Sequence, residues 1–77
     1  MTSAYVFINV GAGGDGQKIH SDLHAIPGVK SVHFVWGPLD CIVFADAPDM
    51  AGLVELTGKI RAVPGVGHVD TRVVLSL

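Results

Sequence analysis

Ile26-Pro27-Gly28-Val29 and Val63-Pro64-Gly65-Val66 are one four-residue punctuation written twice, 37 residues apart. Proline disfavours helical geometry in the residue before it, and glycine permits a sharp turn after it. Each copy follows a stretch with helical spacing and precedes a run of β-branched residues. Ahead of the first, Ile19, Leu23 and Ile26 fall at i, i+4 and i+7, one face of a helix. Ahead of the second, Leu53, Leu56, Ile60 and Val63 make an apolar stripe spaced 3, 4 and 3. Asp46-Ala47-Pro48-Asp49 reads as the start of this second helix, with Asp46 as N-cap and Asp49 near the positive end of the helix dipole.

The rest of the chain reads as strands. Tyr5 to Val10 is aromatic and β-branched, Val29 to Trp36 carries Val32, Phe34 and Trp36 on one parity, and Cys41 to Ala45 is apolar throughout. Val66 to Leu75 has Val69, Thr71, Val73 and Leu75 on one parity. The short link Gly37-Pro38-Leu39-Asp40 joins strands two and three into an antiparallel hairpin. The order β-α-β-β-α-β, built from two similar halves, predicts an α+β fold of the ferredoxin-like kind. That is a sandwich with one four-stranded antiparallel sheet and both helices on one face. Such a sheet leaves its other face bare, and strands facing water on one side alternate apolar with polar. Here the first strand is apolar on both parities and so is the third. The second face is therefore expected to meet another subunit's sheet.

Composition points the same way. The chain has 77 residues, enough for one domain, and domains of this size bury a modest core. Hydrophobic residues make up 49% and charged residues 16%, against about 25% charged in ordinary domains, which excludes disorder. The single Cys41 excludes an intrachain disulfide and a multi-cysteine metal site. A net charge of −2 with five Lys and Arg gives no basic stripe for nucleic acid. No apolar run reaches the roughly 18 residues of a membrane span. Met1-Thr2-Ser3-Ala4 lacks the basic start of a signal peptide, so a cytoplasmic location is the default expectation.

Few motifs carry chemistry. Gly11-x-Gly13-x-x-Gly16 matches the dinucleotide fingerprint by letter. The fold that motif needs is parallel and much larger, and no acidic residue closes the second strand, so a strand-to-helix loop is the better reading. His20 and His24 share a helix face but lack two further ligands for zinc. Cys41 has no basic neighbour and reads as a buried thiol. No catalytic group, metal site or cofactor is expected. Gly37-Pro38-Leu39-Asp40 has two readings. As a structural turn, glycine frees the backbone, proline fixes it and Asp40 binds nearby amides. As a ligand site, its amides suit a carboxylate and Asp40 suits an ammonium, the two ends of a zwitterion. The residues alone favour the structural turn.

The opening Ala4-Tyr5-Val6-Phe7-Ile8, the helix end Leu23-x-x-Ile26-Pro27-Gly28-Val29, the turn Gly37-x-x-Asp40 and the closing Ile60-Arg61-x-x-Pro64-Gly65-Val66-x-x-x-x-Thr71 resemble the effector domain of the leucine-responsive/asparagine (Lrp/AsnC) regulators, also called the RAM domain. The resemblance runs from about Ala4 to Leu75. It implies a subunit that dimerises through its sheet, with dimers forming octameric or decameric rings and an amino-acid effector held between dimers. By position it implies Gly37, Asp40 and Thr71 as ligand-binding residues, with Trp36, Pro38 and Leu39 beside them. The chain resembles the stand-alone form, residues 1–77 making a single domain without the helix-turn-helix usual in the family. Two alternatives accompany this reading. One is a ligand-free interaction module that co-assembles with a full-length regulator. The other is a small enzyme of the dimeric α+β-barrel type, which an internal polar cavity around His33 or His68 would favour.

Overall fold

A computed structural model describes residues 1–11, 15–35 and 40–75. The elements are β1 (Thr2–Val10), α1 (Gly16–His24), β2 (Val29–Phe34), β3 (Cys41–Ala47), α2 (Met50–Arg61) and β4 (Val66–Val73). They form one antiparallel sheet in the order β2-β3-β1-β4. This is the ferredoxin-like βαββαβ arrangement expected.

The twin punctuation does the same work in both halves. Each helix runs out into a short turn: Ile26 N–H reaches Leu23 O at 3.1 Å and Val29 N–H reaches Ile26 O at 3.2 Å. The second copy repeats this with Val63 to Ile60 at 3.1 Å and Val66 to Val63 at 3.2 Å. Both glycines sit at positive φ, Gly28 at 98° and Gly65 at 93°, where a side chain is strained. Ile26 thus lies in the turn, beyond the end of α1, and still packs against the core.

Strand alternation sets the core. Ala4, Val6 and Ile8 of β1, Cys41, Val43 and Ala45 of β3 and Val32 of β2 are buried beneath the helices. Ile19 and Leu23 of α1 and Leu53, Leu56 and Ile60 of α2 cover them. The opposite parity, Ser3, Tyr5 and Phe7 of β1 with Ile42 and Phe44 of β3, faces away from the helices and is half-buried or exposed.

One helix start differs from the sequence reading. Asp46 does not cap α2; it belongs to β3, opposite Ser3. Asp49 is the N-cap, its Oδ1 accepting from Gly52 N at 2.8 Å. The reason is non-local. β1 begins at Thr2, which pairs with Ala47, so β3 runs on for two more residues.

The Gly28 turn is closely packed. A Cβ there would lie 2.6 Å from Asp46 O and 2.6 Å from Leu56 Cδ1. Gly58, inside α2, has open space around it. Gly28→Ala should destabilise the protein by about 2–4 kcal/mol, and Gly58→Ala should stabilise it by about 1 kcal/mol. Urea unfolding at one fixed protein concentration checks both signs.

Candidate functional site

The turn between β2 and β3 meets the end of β1, and Asp40 holds the two together. Its carbonyl accepts Val35 N–H at 2.9 Å, closing the hairpin. Its own N–H donates to Ile8 O at 3.2 Å. Its Oδ2 accepts Val10 N–H at 2.8 Å. The regular β1–β3 ladder stops at Ile8 opposite Cys41, so the carboxylate takes the next inward-pointing amide after the backbone partners run out. One residue further, Gly11 N–H donates to Gly65 O at 3.1 Å. Asp40 therefore does what the structural-turn reading requires. It also presents a half-buried carboxylate at the sheet end.

Trp36, Gly37, Pro38 and Leu39 lie outside the described residues. Thr71 lies elsewhere. It pairs with Val6 and faces α2, within a groove of about 370 Å³ lined by Met50, Leu53, Val54, Thr57, Arg61 and Val73. Its Oγ1 is buried and has no hydrogen-bond partner among the described residues. Strand β1 stands between Thr71 and Asp40, so a single chain does not bring them together.

Other sequence candidates take definite places. Residues 12–14 of the glycine-rich loop lie outside the described residues. Just after them, Asp15 caps α1, its Oδ1 accepting from Gln17 N at 3.1 Å and Lys18 N at 3.2 Å. A carboxylate thus already fills the place a phosphate takes in a dinucleotide fold. The His20 and His24 rings lie 5.2 Å apart, and among the described residues no group of three metal-ligating side chains forms. His33 and His68 are exposed.

Two surfaces carry detail that the sequence reading lacks. A groove of about 520 Å³ lies between Gly16, Gln17, His20 and Ser21 of α1 and Phe34 of β2. The parity of Phe34, opposite Cys41, is the available signal: it puts the ring on the helix side, where it remains 42% exposed. The second surface is the open sheet face. Tyr5 and Phe44 stack with centroids 4.9 Å apart, and Arg72 lies over the Phe7 ring at 5.2 Å. Ser3 Oγ donates to Asp46 Oδ1. Arg72 also pairs with Asp70 at 3.2 Å.

Cys41 is fully buried. Burial first, and then the Asp40 charge, push its thiol up from 9.0 to about 11. Among the described residues no helix is long and apolar enough to cross a membrane.

A family model for the Lrp/AsnC ligand binding domain matches residues 3–77. No curated protein matches the chain in sequence. Among solved structures, a hypothetical protein from Pyrococcus horikoshii is similar at 27% identity and TM-score 0.86, the match covering 100% of this chain and 93% of that one. A protein from Thermus thermophilus is similar at 26% identity and TM-score 0.88, with 100% and 96% covered. A transcriptional regulator from Neisseria meningitidis, solved as a complex with L-methionine, shares the fold at 18% identity and TM-score 0.87. That match covers 97% of this chain and 50% of the regulator.

Asp40→Ala strips Val10 N–H of its acceptor and should cost about 1–2 kcal/mol. Asp40→Asn retains an oxygen there and should cost less than half of that in urea unfolding. The raised Cys41 pKa gives a second expectation. The folded state favours the neutral thiol, so its contribution is complete below pH 9 and is lost as pH rises from 9 through about 11. Wild-type stability should therefore fall more steeply over that window than that of Cys41→Ala.

Proposed function

The chain belongs to the Lrp/AsnC ligand binding domain family, and on that premise we propose that it binds a small amino-acid effector and links that binding to its own assembly. Subunits pair through their open sheet faces, and dimers join into a ring. The effector sits between dimers, against the turn of Trp36, Gly37, Pro38, Leu39 and Asp40. The family membership carries this reading. Asp40 supports it, because its backbone groups and Oδ2 are anchored to β1 and to Val35, just past the end of β2. A carboxylate held in place loses little freedom when it receives an ammonium group. Thr71, across β1 in the same chain, reaches such a site only from a neighbouring copy. The methionine held by the Neisseria regulator supports an amino acid as the ligand class. The apolar open face, with Tyr5 47% exposed beside Phe7, Ile42 and Phe44, supports pairing through the sheet.

The mechanism is linkage. A ligand that contacts two dimers stabilises the species that contains both, by about 2.7 kcal/mol at a hundredfold excess over Kd.

One observation favours a second reading. Asp40 already spends an oxygen on Val10, as it would in a ligand-free interaction module that co-assembles with a full-length regulator. Titration calorimetry against the twenty amino acids, with sedimentation velocity with and without each hit, separates the two. Effector binding predicts heat from at least one amino acid, a shift in assembly size with it, and at least tenfold weaker binding by Asp40→Asn. No heat from any of the twenty and an unchanged size would leave the interaction module.

A further inference from the structure

β4 is an outer strand of the sheet, and the parity of its free edge follows from one hydrogen bond. Val74 N–H donates to Ser3 O at 2.8 Å. In an antiparallel ladder this pattern repeats every two residues. Arg72 and Asp70 therefore turn their backbone groups inward to Tyr5 and Phe7 of β1, their register partners. Val69, Thr71 and Val73 turn theirs outward, to an edge with no neighbouring strand among the described residues. The segment Val69-Asp70-Thr71-Arg72-Val73 is symmetric in shape about Thr71 and opposite in charge on its two sides.

We propose that β4 pairs with β4 of a second copy of this chain, antiparallel, about a two-fold axis through Thr71. Each requirement is met in that register. Val69, Thr71 and Val73, which carry the outward N–H and C=O groups, form the hydrogen-bonded pairs: Thr71 with Thr71 of the partner subunit, and Val69 with Val73 of the partner subunit. Asp70 falls opposite Arg72 of the partner subunit in a non-hydrogen-bonded pair, where side chains are closest. A slip of one residue turns the wrong backbone groups outward. A shift of the pairing by two sets Asp70 against Asp70 or Arg72 against Arg72, like charges that repel. Charge and hydrogen-bond parity thus select one register.

The same edge is lined by apolar surface that this pairing covers. Met50 is 54% and Val54 66% exposed, and both line the groove that holds Thr71 and Val73. Joining the two sheets sets α2 of each copy beside the other. The inference goes beyond effector binding and needs no ligand.

Cysteine crosslinking without amino acids tests it. Cys41 is buried, and excess alkylating agent present while the protein is denatured caps its thiol as it becomes exposed and keeps it silent. Paired across the axis, position 71 has Cα atoms about 5.5 Å apart, within disulfide range; position 73 meets position 69 and stays out of reach of its own copy. Thr71→Cys should form a disulfide dimer under mild oxidation, and Val73→Cys at least tenfold less. Adding Arg72→Asp to Thr71→Cys should cut the crosslink at least tenfold. Adding Asp70→Arg together with Arg72→Asp should restore it, because the charges exchange sides. Far-UV circular dichroism checks that each variant is folded. A folded Thr71→Cys that stays monomeric on a non-reducing gel, equal crosslinking at position 73, or no rescue by the charge exchange would overturn the proposal.

Discussion

The architecture depends on β1 being bonded on both edges and packed beneath the helices. Its even-numbered residues share hydrogen bonds with β3 and send Ala4, Val6 and Ile8 into the core, each fully buried. Its odd-numbered residues bond to β4 and send Ser3, Tyr5 and Phe7 to the opposite face. One alternation thus divides the strand's work, and a slip of a single residue would reverse both faces at once. The two helices lie over the even face because each half of the chain returns through the same proline-glycine junction. Only a residue without a side chain fits Gly28, wedged against Asp46 O and Leu56.

What the helices leave uncovered is the aromatic face of the sheet. Tyr5, Phe7 and Phe44 are large, and Arg72 lies over one of the rings. Within one subunit these side chains shield one another only in part. In a chain with 16% charged residues there are few charges to solvate the remainder, and the proposed pairing would bury it against a like surface. An isologous contact through this face and another through the β4 edge would each have two-fold symmetry. Two different two-fold contacts on one subunit build alternating assemblies, which close into dihedral rings when the angles allow.

Element order is legible in the sequence because the twin junctions at Pro27-Gly28 and Pro64-Gly65 punctuate an unambiguous periodicity. Boundaries are less so. Asp46 resembles an N-cap in its local sequence, yet a strand 43 residues away claims it through Ser3. The capping of α1 by Asp15 is available from the residue type, but the glycines on either side of it draw the eye to a loop instead. At the candidate site, Asp40 is legible as a turn residue. Its grip on Val10, 30 residues distant, is not, since no local pattern encodes a contact across strands. The parity of Thr71 with Val69 and Val73 is readable, but which face that parity occupies depends on the register with β1. Phe34 shows the same limit: an apolar residue on the core parity stays exposed because α1 begins only at Gly16.

Val10 and Gly11 give the end of β1 a mechanical character. Their amides are adjacent along the chain and point to opposite sides, one gripped by the Asp40 carboxylate and the other by the Gly65 carbonyl. Gly65 is the residue from which β4 departs. The tip of β1 is therefore a yoke, with the hairpin on one arm and the root of the outer strand on the other. A displacement of the hairpin that drags Asp40 is felt one peptide plane away, where β4 takes its direction.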